Sequence, residues 1–277
     1  FICFHGAYHG DTFGAMAVSD RSEFGNGFDS ALTRNYVFEI PRDEYALAEF
    51  EDTVKAIRGT VAAILIEPLV QCAGGFKFHN ADVLSEIRRV AREQDILFIA
   101  DEIATGFART GSMFACNEAA VSPDILCVGK ALTGGVLPLA ATLATEQVFA
   151  AFLGSEPEKA LMHGPTYMAN PMACAAALAS LDIFAHEPRL AQVERIEQQL
   201  WDELKPLEAV QGVKDVRVKG AIGVVEIEGD ARGLRDALIA QGVWVRPFGN
   251  VVYLMPPLCI GEADLRVLTK AVNTVLA

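Results

Sequence analysis

Three ionisable residues, each placed just after an apolar run, are the first candidates for chemistry in this 277-residue sequence. Glu67 follows the run 61–66, Asp101 follows 96–100, and Lys130 follows 125–128 after a single glycine. If the runs are buried parallel strands, these side chains converge beyond the carboxyl ends of the sheet, where such sheets bind ligands. A strand that simply emerges into water gives the same pattern, but that explanation is weaker for three strands than for one.

Asp101 and Lys130 together suggest one particular cofactor. Pyridoxal phosphate is held by a lysine Schiff base, and a carboxylate pairs with its pyridinium nitrogen. The carboxylate keeps that nitrogen protonated, so the ring can accept electrons from the substrate Cα–H bond, and the released lysine moves the proton. Gly129 and the small residues after Lys130 let a planar group approach the backbone. The chain separation matches one β-α-β step, although a plain ion pair between Asp101 and Lys130 fits it too.

The elements that must position these residues alternate short apolar runs with amphipathic segments. This alternation predicts β-α units around a mainly parallel sheet. Asn80 is a suitable cap for a helix over 81–94, and a fourth strand is expected at 140–144. Asn170 and Pro171 have the residue types that begin a helix, which we expect to run to about 184.

The character of the sequence changes near residue 186. A charged helix (188–204) precedes alternating segments at 213–219, 223–228, 243–247 and 251–255, with helices near 231–241 and 262–276. The sequence therefore predicts an α/β large domain over residues 1–186 and a smaller α+β domain over residues 187–277. Because the chain opens on an apolar strand-like run, an N-terminal part of the large domain is expected to be missing.

Composition excludes several classes of partner. A net charge of −13 and a pI near 4.8 argue against nucleic acid and against an anionic membrane surface, since both need a basic face. No apolar run approaches the roughly 20 residues that span a bilayer. The six cysteines form no C-x-x-C pair, which indicates reduced thiols in the cytoplasm and no metal site.

Three segments carry a resemblance to a known family: 99–106 (IADEIATG), 123–135 (PDILCVGKALTGG) and 163–174 (HGPTYMANPMAC). They resemble class-III aminotransferases of pyridoxal-phosphate fold type I, and the similarity runs from about Tyr8 to the C-terminus. The resemblance implies pyridoxal 5'-phosphate as cofactor, a fold type I large domain with a smaller α+β C-terminal domain, and a homodimer with shared active sites.

Carried over motif by motif, the resemblance assigns roles around the cofactor. It makes Lys130 the Schiff-base lysine and Asp101 the partner of the pyridinium nitrogen. Ring packing falls to Tyr8 on one face and Ile103 on the other, and Tyr8 counts among the catalytic residues. The phosphate contacts, made across the dimer interface, fall to Pro165 and Thr166. From the residues alone, a threonine before a helix N-terminus suits an anion and a plain helix entry equally well.

The same resemblance places five residues in the substrate pocket, namely Glu67, Arg109, Gly164, Arg246 and Tyr253. Arg246 would bind a substrate carboxylate, because the planar guanidinium pairs with carboxylates in a bidentate way. An isolated arginine at a strand end is otherwise an ordinary surface residue. Glu67 and Arg109 are expected to pair, which would let differently charged donors be accepted.

Local differences select a branch of the family. Ala104 stands where many ω-aminotransferases have Gln, and Pro165 precedes Thr166 where they have Ser. This favours the branch that transfers an amino group from S-adenosylmethionine to 8-amino-7-oxononanoate, giving 7,8-diaminononanoate in biotin biosynthesis. The alternatives are another ω-aminotransferase for a diamine or ω-amino acid, an inactive truncated fragment that lacks the family's upstream Gly-Ser phosphate turn, and a non-catalytic interaction module.

Overall fold

The computed structural model describes residues 1–20 and 27–277, which divide into two compact units. The first unit comprises Phe1–Gly106 and Cys116–Ala185, and the second comprises Phe107–Ala115 and His186–Ala277. The assignment of residues 1–186 as the cofactor-binding domain and 187–277 as the small domain stays a prediction.

A mainly parallel sheet forms the centre of the first unit. Among the described residues its six strands lie in the order β2 (Tyr36–Phe38), β1 (Ile2–Phe4), β3 (Ala63–Ile66), β6 (Leu97–Asp101), β7 (Ile125–Val128) and β8 (Ala141–Ala144). All neighbouring pairs are parallel except β7 and β8, which are antiparallel. The mainly parallel sheet predicted from the alternating pattern is therefore confirmed. A short antiparallel hairpin of β4 (Val70–Gln71) and β5 (Lys77–Phe78) lies between β3 and the next helix in the chain.

Helices flank these strands in the sequence. In the first unit they are α1 (Phe13–Val18), α2 (Glu44–Ile57), α3 (Ala81–Glu93), α5 (Glu146–Ala150) and α6 (Pro171–His186), and the short α4 (Ala115–Glu118) lies at the junction with the second unit. Both predicted caps are confirmed. The side chain of Asn80 accepts from the N–H of Val83 at 2.9 Å, and that of Asn170 accepts from the N–H of Ala173 at 2.9 Å. Across the described ranges, no helix has the length and apolarity needed to span a bilayer.

The core of the first unit lies where the central strands meet α3. Ile64, Ile66 and Phe98 of the strands are completely buried, as are Leu84 and Ile87 on the apolar stripe of the helix. Burying such side chains stabilises the fold by about 1.5–3 kcal/mol each relative to exposure. The carboxyl ends of β3, β6 and β7 are thereby held at one edge of a rigid sheet.

The second unit has the α+β composition expected from the sequence. Its antiparallel sheet consists of β9 (Val213–Lys219), β10 (Ile222–Ile227) and β11 (Val251–Leu254), with β10 in the middle. Its helices are α7 (Arg189–Leu204), α8 (Arg235–Ala240) and α9 (Glu262–Leu276). Leu200 and Leu204 of α7 are buried and approach Gly223 of the central strand closely.

One predicted strand is wrong. Residues 243–247 form no regular element, although their apolar and polar residues alternate. The N–H of Val243 instead bonds to the carbonyl of Leu238 and closes the end of α8. Pro247 has no N–H to offer a neighbouring strand, so the segment cannot form a continuous ladder.

Candidate active site

Asp101 ends β6 and is held by two donors. Its Oδ2 lies 2.7 Å from Nδ1 of His9, and its Oδ1 accepts from the N–H of Ile103 at 3.1 Å. Only 7% of Asp101 is exposed. A buried carboxylate with both oxygens occupied keeps a fixed orientation, which is what a partner for a cationic ring nitrogen requires.

Lys130 follows the neighbouring strand. Asp101 stands opposite Cys127 in the parallel pairing of β6 and β7, and Lys130 comes three residues later with an exposed side chain. Its φ of +41° is unusual for a residue with a side chain and marks a sharp turn out of the strand. A Cβ added to Gly129 would lie 3.5 Å from Ile103, so that residue borders the approach to the lysine. The structure thus brings Asp101, Ile103 and Lys130 to one edge of the sheet.

Tyr8 lies in the loop that follows β1, and Glu67 anchors that loop. The N–H of Tyr8 donates to Oε1 of Glu67 at 3.0 Å, and the Tyr8 hydroxyl donates to Asp11 at 2.6 Å. The hydrogen bond to the Asp11 carboxylate is the main cause that raises the pKa of Tyr8 to about 12. The phenol therefore keeps its proton at neutral pH and offers an uncharged ring.

The β4–β5 hairpin presses on this same loop. Gln71 donates to the carbonyl of His5 at 2.9 Å, and Gly6 donates its N–H to Asp20 at 2.6 Å. A Cβ on Gly74 would lie 2.7 Å from the carbonyl carbon of Gly6, so only glycine permits this approach. The hairpin therefore helps to fix the position of the Tyr8 segment.

Glu67 is a buried acid at the end of β3. Its second oxygen accepts from the N–H of Cys72 at 3.3 Å, and only 4% of the residue is exposed. Burial is the largest influence and raises the pKa of Glu67 from its ordinary 4.5 to about 7. His9 and the two backbone donors oppose this rise, and Asp101 adds to it. Near neutral pH, Glu67 thus exchanges a proton beside Asp101.

The chemistry of this group of residues fits pyridoxal phosphate. A fixed buried carboxylate suits a protonated ring nitrogen, and an exposed lysine on the next strand suits an aldehyde. The glycine before Lys130 leaves room for a planar ring near the backbone. Nε2 of the buried His9 ring has no hydrogen-bond partner among the described residues, which leaves one polar atom open beside Asp101.

Residues 164–166 are not hydrogen-bonded to this group in the described part of the chain. Gly164, Pro165 and Thr166 are exposed in the segment before α6. In the described part of the chain, no hydrogen bond joins them to Asp101 or Lys130. Their assignment to the cofactor phosphate stays a prediction.

The remaining predicted residues belong to the second unit. Arg109 donates to the carbonyls of Ala221 and Pro256, at 3.1 and 2.8 Å. Tyr253 is half-buried on β11, and Arg246 is exposed in the irregular segment 243–247. The pairing of Glu67 with Arg109 and the substrate roles of Arg246 and Tyr253 stay predictions.

Two neighbours of Asp101 escaped the sequence reasoning. No role for His9 was predicted from the sequence, yet its ring contacts Asp101 across 92 positions of the chain. Glu102 is completely buried and accepts from the N–H of Cys116 at 2.8 Å and from the Thr105 hydroxyl at 3.0 Å, which fixes the turn after Asp101. A signal for His9 was available, because it follows Tyr8 directly.

Comparison with known proteins gives one consistent family. The model of the aminotransferase class-III family matches residues 1–276. The adenosylmethionine-8-amino-7-oxononanoate aminotransferase of Mycobacterium leprae is 42% identical over 98% of this chain and 63% of its own length. The protein of the same name from Corynebacterium glutamicum is 43% identical over 92% and 62%. The chain therefore spans somewhat less than two thirds of these two relatives.

Solved structures give the same result. The adenosylmethionine-8-amino-7-oxononanoate aminotransferase of Methanocaldococcus jannaschii aligns with a TM-score of 0.92 at 34% identity, over all of this chain and 67% of that one. An amine transaminase from an uncultivated Pseudomonas species, in its pyridoxal-phosphate-bound form, aligns with a TM-score of 0.89 at 31% identity, over all of this chain and 69% of its own.

Proposed function

The chain belongs to the class-III aminotransferase family, and we propose that it transfers an amino group from S-adenosylmethionine to 8-amino-7-oxononanoate. The product would be 7,8-diaminononanoate, an intermediate of biotin biosynthesis. The observation that carries this proposal is the 42–43% identity to relatives whose name states these two substrates. Class-III aminotransferases use pyridoxal 5'-phosphate, and the residues around Asp101 and Lys130 fit that cofactor.

When bound, pyridoxal phosphate supplies an electron sink for the bond that breaks at the donor carbon. Lys130 would hold the cofactor through its Nζ, and the same amine would accept and return the proton at the reacting carbon. Asp101 would keep a proton on the ring nitrogen, because a fixed carboxylate favours the cationic form of that nitrogen. Donor and acceptor take turns in one site, so the kinetics are of the ping-pong type.

The walls of the site orient the ring. Ile103, which borders Gly129, would pack against one face of the ring, and Tyr8 would pack against the other. The hydrogen bond from Tyr8 to Asp11 engages the phenol hydroxyl, so the aromatic ring of Tyr8 is the part that would contact the cofactor. From the family resemblance, Arg246 would bind the acceptor carboxylate, and Tyr253, Gly164, Glu67 and Arg109 would each contact substrate.

We also propose that the protein is a homodimer with shared sites. The described residues between 136 and 184 expose many large apolar side chains, among them Met162 (92%), Tyr167 (82%), Met172 (73%) and Leu178 (68%). A surface of this kind is costly in water and is typical of an interface. Pro165 and Thr166 lie within this stretch, so a second copy that covers it would receive them at its own cofactor phosphate.

Mixing two inactive variants tests the shared site. Lys130→Ala removes the lysine of one protomer, and Thr166→Glu places a repelling charge at the phosphate contact of the other. If the sites are shared, a hybrid dimer holds one intact site and the mixture regains activity. A monomer in sedimentation equilibrium, or a mixture that stays inactive, would contradict the proposal.

A cytoplasmic location without nucleic-acid or membrane partners is part of the same proposal. The charge of −13 gives no basic field for a polyanion. The absence of C-x-x-C pairs among the six cysteines accords with a reducing compartment. Binding of a fluorescent DNA oligonucleotide or of anionic vesicles at physiological salt would contradict this part of the proposal.

Cofactor binding is tested most simply by colour. The chain is expected to bind pyridoxal phosphate with a visible absorbance band, and Lys130→Ala is expected to abolish that band. Lys159→Ala is the matched control, because Lys159 is an exposed lysine whose ion pair among the described residues is with Glu156, at 3.2 Å. A colourless, folded chain would favour the interaction module.

Donor choice separates the two enzymatic candidates. S-adenosylmethionine alone should bleach the visible band in a single turnover, and 8-amino-7-oxononanoate should restore it. The alignment with an amine transaminase favours a second candidate, an ω-aminotransferase acting on diamines or ω-amino acids. A band that bleaches with a diamine but not with S-adenosylmethionine would support that second candidate.

A further inference from the structure

The buried side chain of His9 contacts the carboxylate of Asp101 within hydrogen-bond distance. Its ring is 4% exposed, and Nδ1 lies 2.7 Å from Oδ2 of Asp101. The N–H of His9 donates to the hydroxyl of Ser19 at 2.9 Å, and that hydroxyl donates to the carbonyl of Ala15 at 2.8 Å. The backbone of His9 is thus fixed independently of its ring, so the ring's position does not depend on Asp101 alone.

The contact determines where the histidine proton lies. With the Asp101 carboxylate as the acceptor, Nδ1 carries the hydrogen of this 2.7 Å contact. Nε2 has no hydrogen-bond partner among the described residues, so the described structure holds the ring through Nδ1. His9 therefore donates one hydrogen bond, and its only described hydrogen-bond partner through the ring is Asp101.

Glu67 shares this buried region. It lies close enough for its ionisation to be influenced by His9 and Asp101 in opposite senses. Two carboxyl groups in one buried region compete for the role of the anion. Each acid receives two donors, but only Asp101 is contacted by a side chain, that of His9, whereas both donors of Glu67 are backbone N–H groups.

We propose that His9 is a positioning residue that keeps the Asp101 carboxylate oriented toward the cofactor ring nitrogen. The inference rests on the proposed function, because it concerns the residue that would face the cofactor. Without the Nδ1 donor, the carboxylate would keep only the hydrogen bond from the N–H of Ile103 and could rotate away. The ring nitrogen would then lose the anion that keeps it protonated.

Two substitutions of His9 distinguish the loss of the hydrogen-bond donor from the loss of the imidazole ring. His9→Asn keeps an N–H near the position of Nδ1, whereas His9→Leu fills similar space without a donor. His5→Asn is the matched control, since His5 lies in the same segment, is 48% exposed and is 3.6 Å from Asp20. The direct readout is the ¹⁵N NMR signal of the pyridine nitrogen in bound, ¹⁵N-labelled pyridoxal phosphate.

His9→Leu is expected to shift that signal toward the unprotonated form. It should weaken cofactor affinity by about 10- to 100-fold, the range for a lost hydrogen bond to a charged group. His9→Asn should restore most of both properties, and His5→Asn should change neither. The kcat value should fall in His9→Leu while the donor KM changes less, because the defect concerns the cofactor and not the donor pocket.

The other outcomes decide separately about the positioning role of His9 and about the proposed function. An unchanged nitrogen signal in folded His9→Leu overturns the positioning role and leaves the proposed function intact. If circular dichroism shows that His9→Leu is unfolded, His9→Gln replaces it, because its amide lies one carbon beyond the Nδ1 position. A shifted signal in His9→Gln supports the role, and an unchanged one overturns it. Failure of the unsubstituted chain to bind the cofactor overturns both proposals.

Discussion

Replacing Glu67 by glutamine should change how the stability of the first unit depends on pH. Glu67 is 4% exposed, and burial raises its pKa from 4.5 to about 7. Between these two pH values the unfolded chain releases the proton while the folded chain keeps it. The free energy of unfolding therefore falls as pH rises through this window, by up to about 1.4 kcal/mol per pH unit. Over the whole window the loss amounts to about 3 kcal/mol, and it levels off above pH 7.

The glutamine variant cannot release this proton, so its stability should lack this fall. Glutamine also places an N–H₂ group against the N–H of Tyr8 or Cys72, which adds a constant cost. The informative quantity is therefore the pH dependence of the stability difference, and not its value at one pH. Relative to wild type, the variant should gain about 3 kcal/mol between pH 4.5 and pH 7.

The measurement must report the first unit. Trp201 and Trp244 both belong to the second unit, so tryptophan fluorescence would follow the wrong part of the chain. Hydrogen exchange of peptides from the central strands, followed by mass spectrometry in increasing urea, reports the correct unit. Glu49→Gln removes an exposed carboxyl of the same unit and controls for the change in net charge. A stability difference for Glu67→Gln that stays flat from pH 4.5 to 8 would refute the reasoning.

Three further substitutions test the packing that supports the site. Gly74→Ala puts a Cβ 2.7 Å from the carbonyl carbon of Gly6. It should lower the free energy of unfolding of the first unit by more than about 2 kcal/mol, measured by urea-dependent hydrogen exchange. It should also weaken cofactor binding. Asn80→Ala removes the cap on Val83 and should cost about 1 kcal/mol, seen as faster exchange in the first turn of α3. Leu200→Ala should cost about 2–5 kcal/mol in the second unit, measured by tryptophan fluorescence in urea.

The strands near the candidate site could be predicted because their signals are local. Continuous apolar runs that end in a charged residue identify β3, β6 and β7, and all three form. Asn80 and Asn170 cap helices through contacts within three residues, so a short window of sequence suffices. The antiparallel direction of β8 could not be predicted in this way, because its apolar run reads like those of the parallel strands.

The irregular segment 243–247 shows where alternation fails as a signal. Alternation of apolar and polar residues indicates a strand only if a neighbouring strand can pair with the segment and the segment's own N–H groups can join the ladder. Here the first N–H closes a helix, and Pro247 interrupts the ladder. The opposite case is α2, for which no helix was predicted. Asp43 nevertheless caps this helix, and Phe50 and Val54 lie four residues apart on its buried side.

Asp101 and Glu67 show why residue type alone could not assign the chemistry of the site. Both follow apolar runs in the sequence, and both are buried in the structure, so the sequence pattern does not distinguish them. The difference lies in their donors. Asp101 receives a hydrogen bond from a side chain 92 positions away, whereas Glu67 receives two from the backbone and still has its pKa raised to about 7 by burial. Because these contacts depend on how the Tyr8 loop is held against the sheet, the division of roles between the two acids follows from tertiary packing and could not be predicted from either strand. Any change that loosens that loop should therefore disturb the two acids together, and Gly74→Ala, which touches neither, is the substitution that would show it.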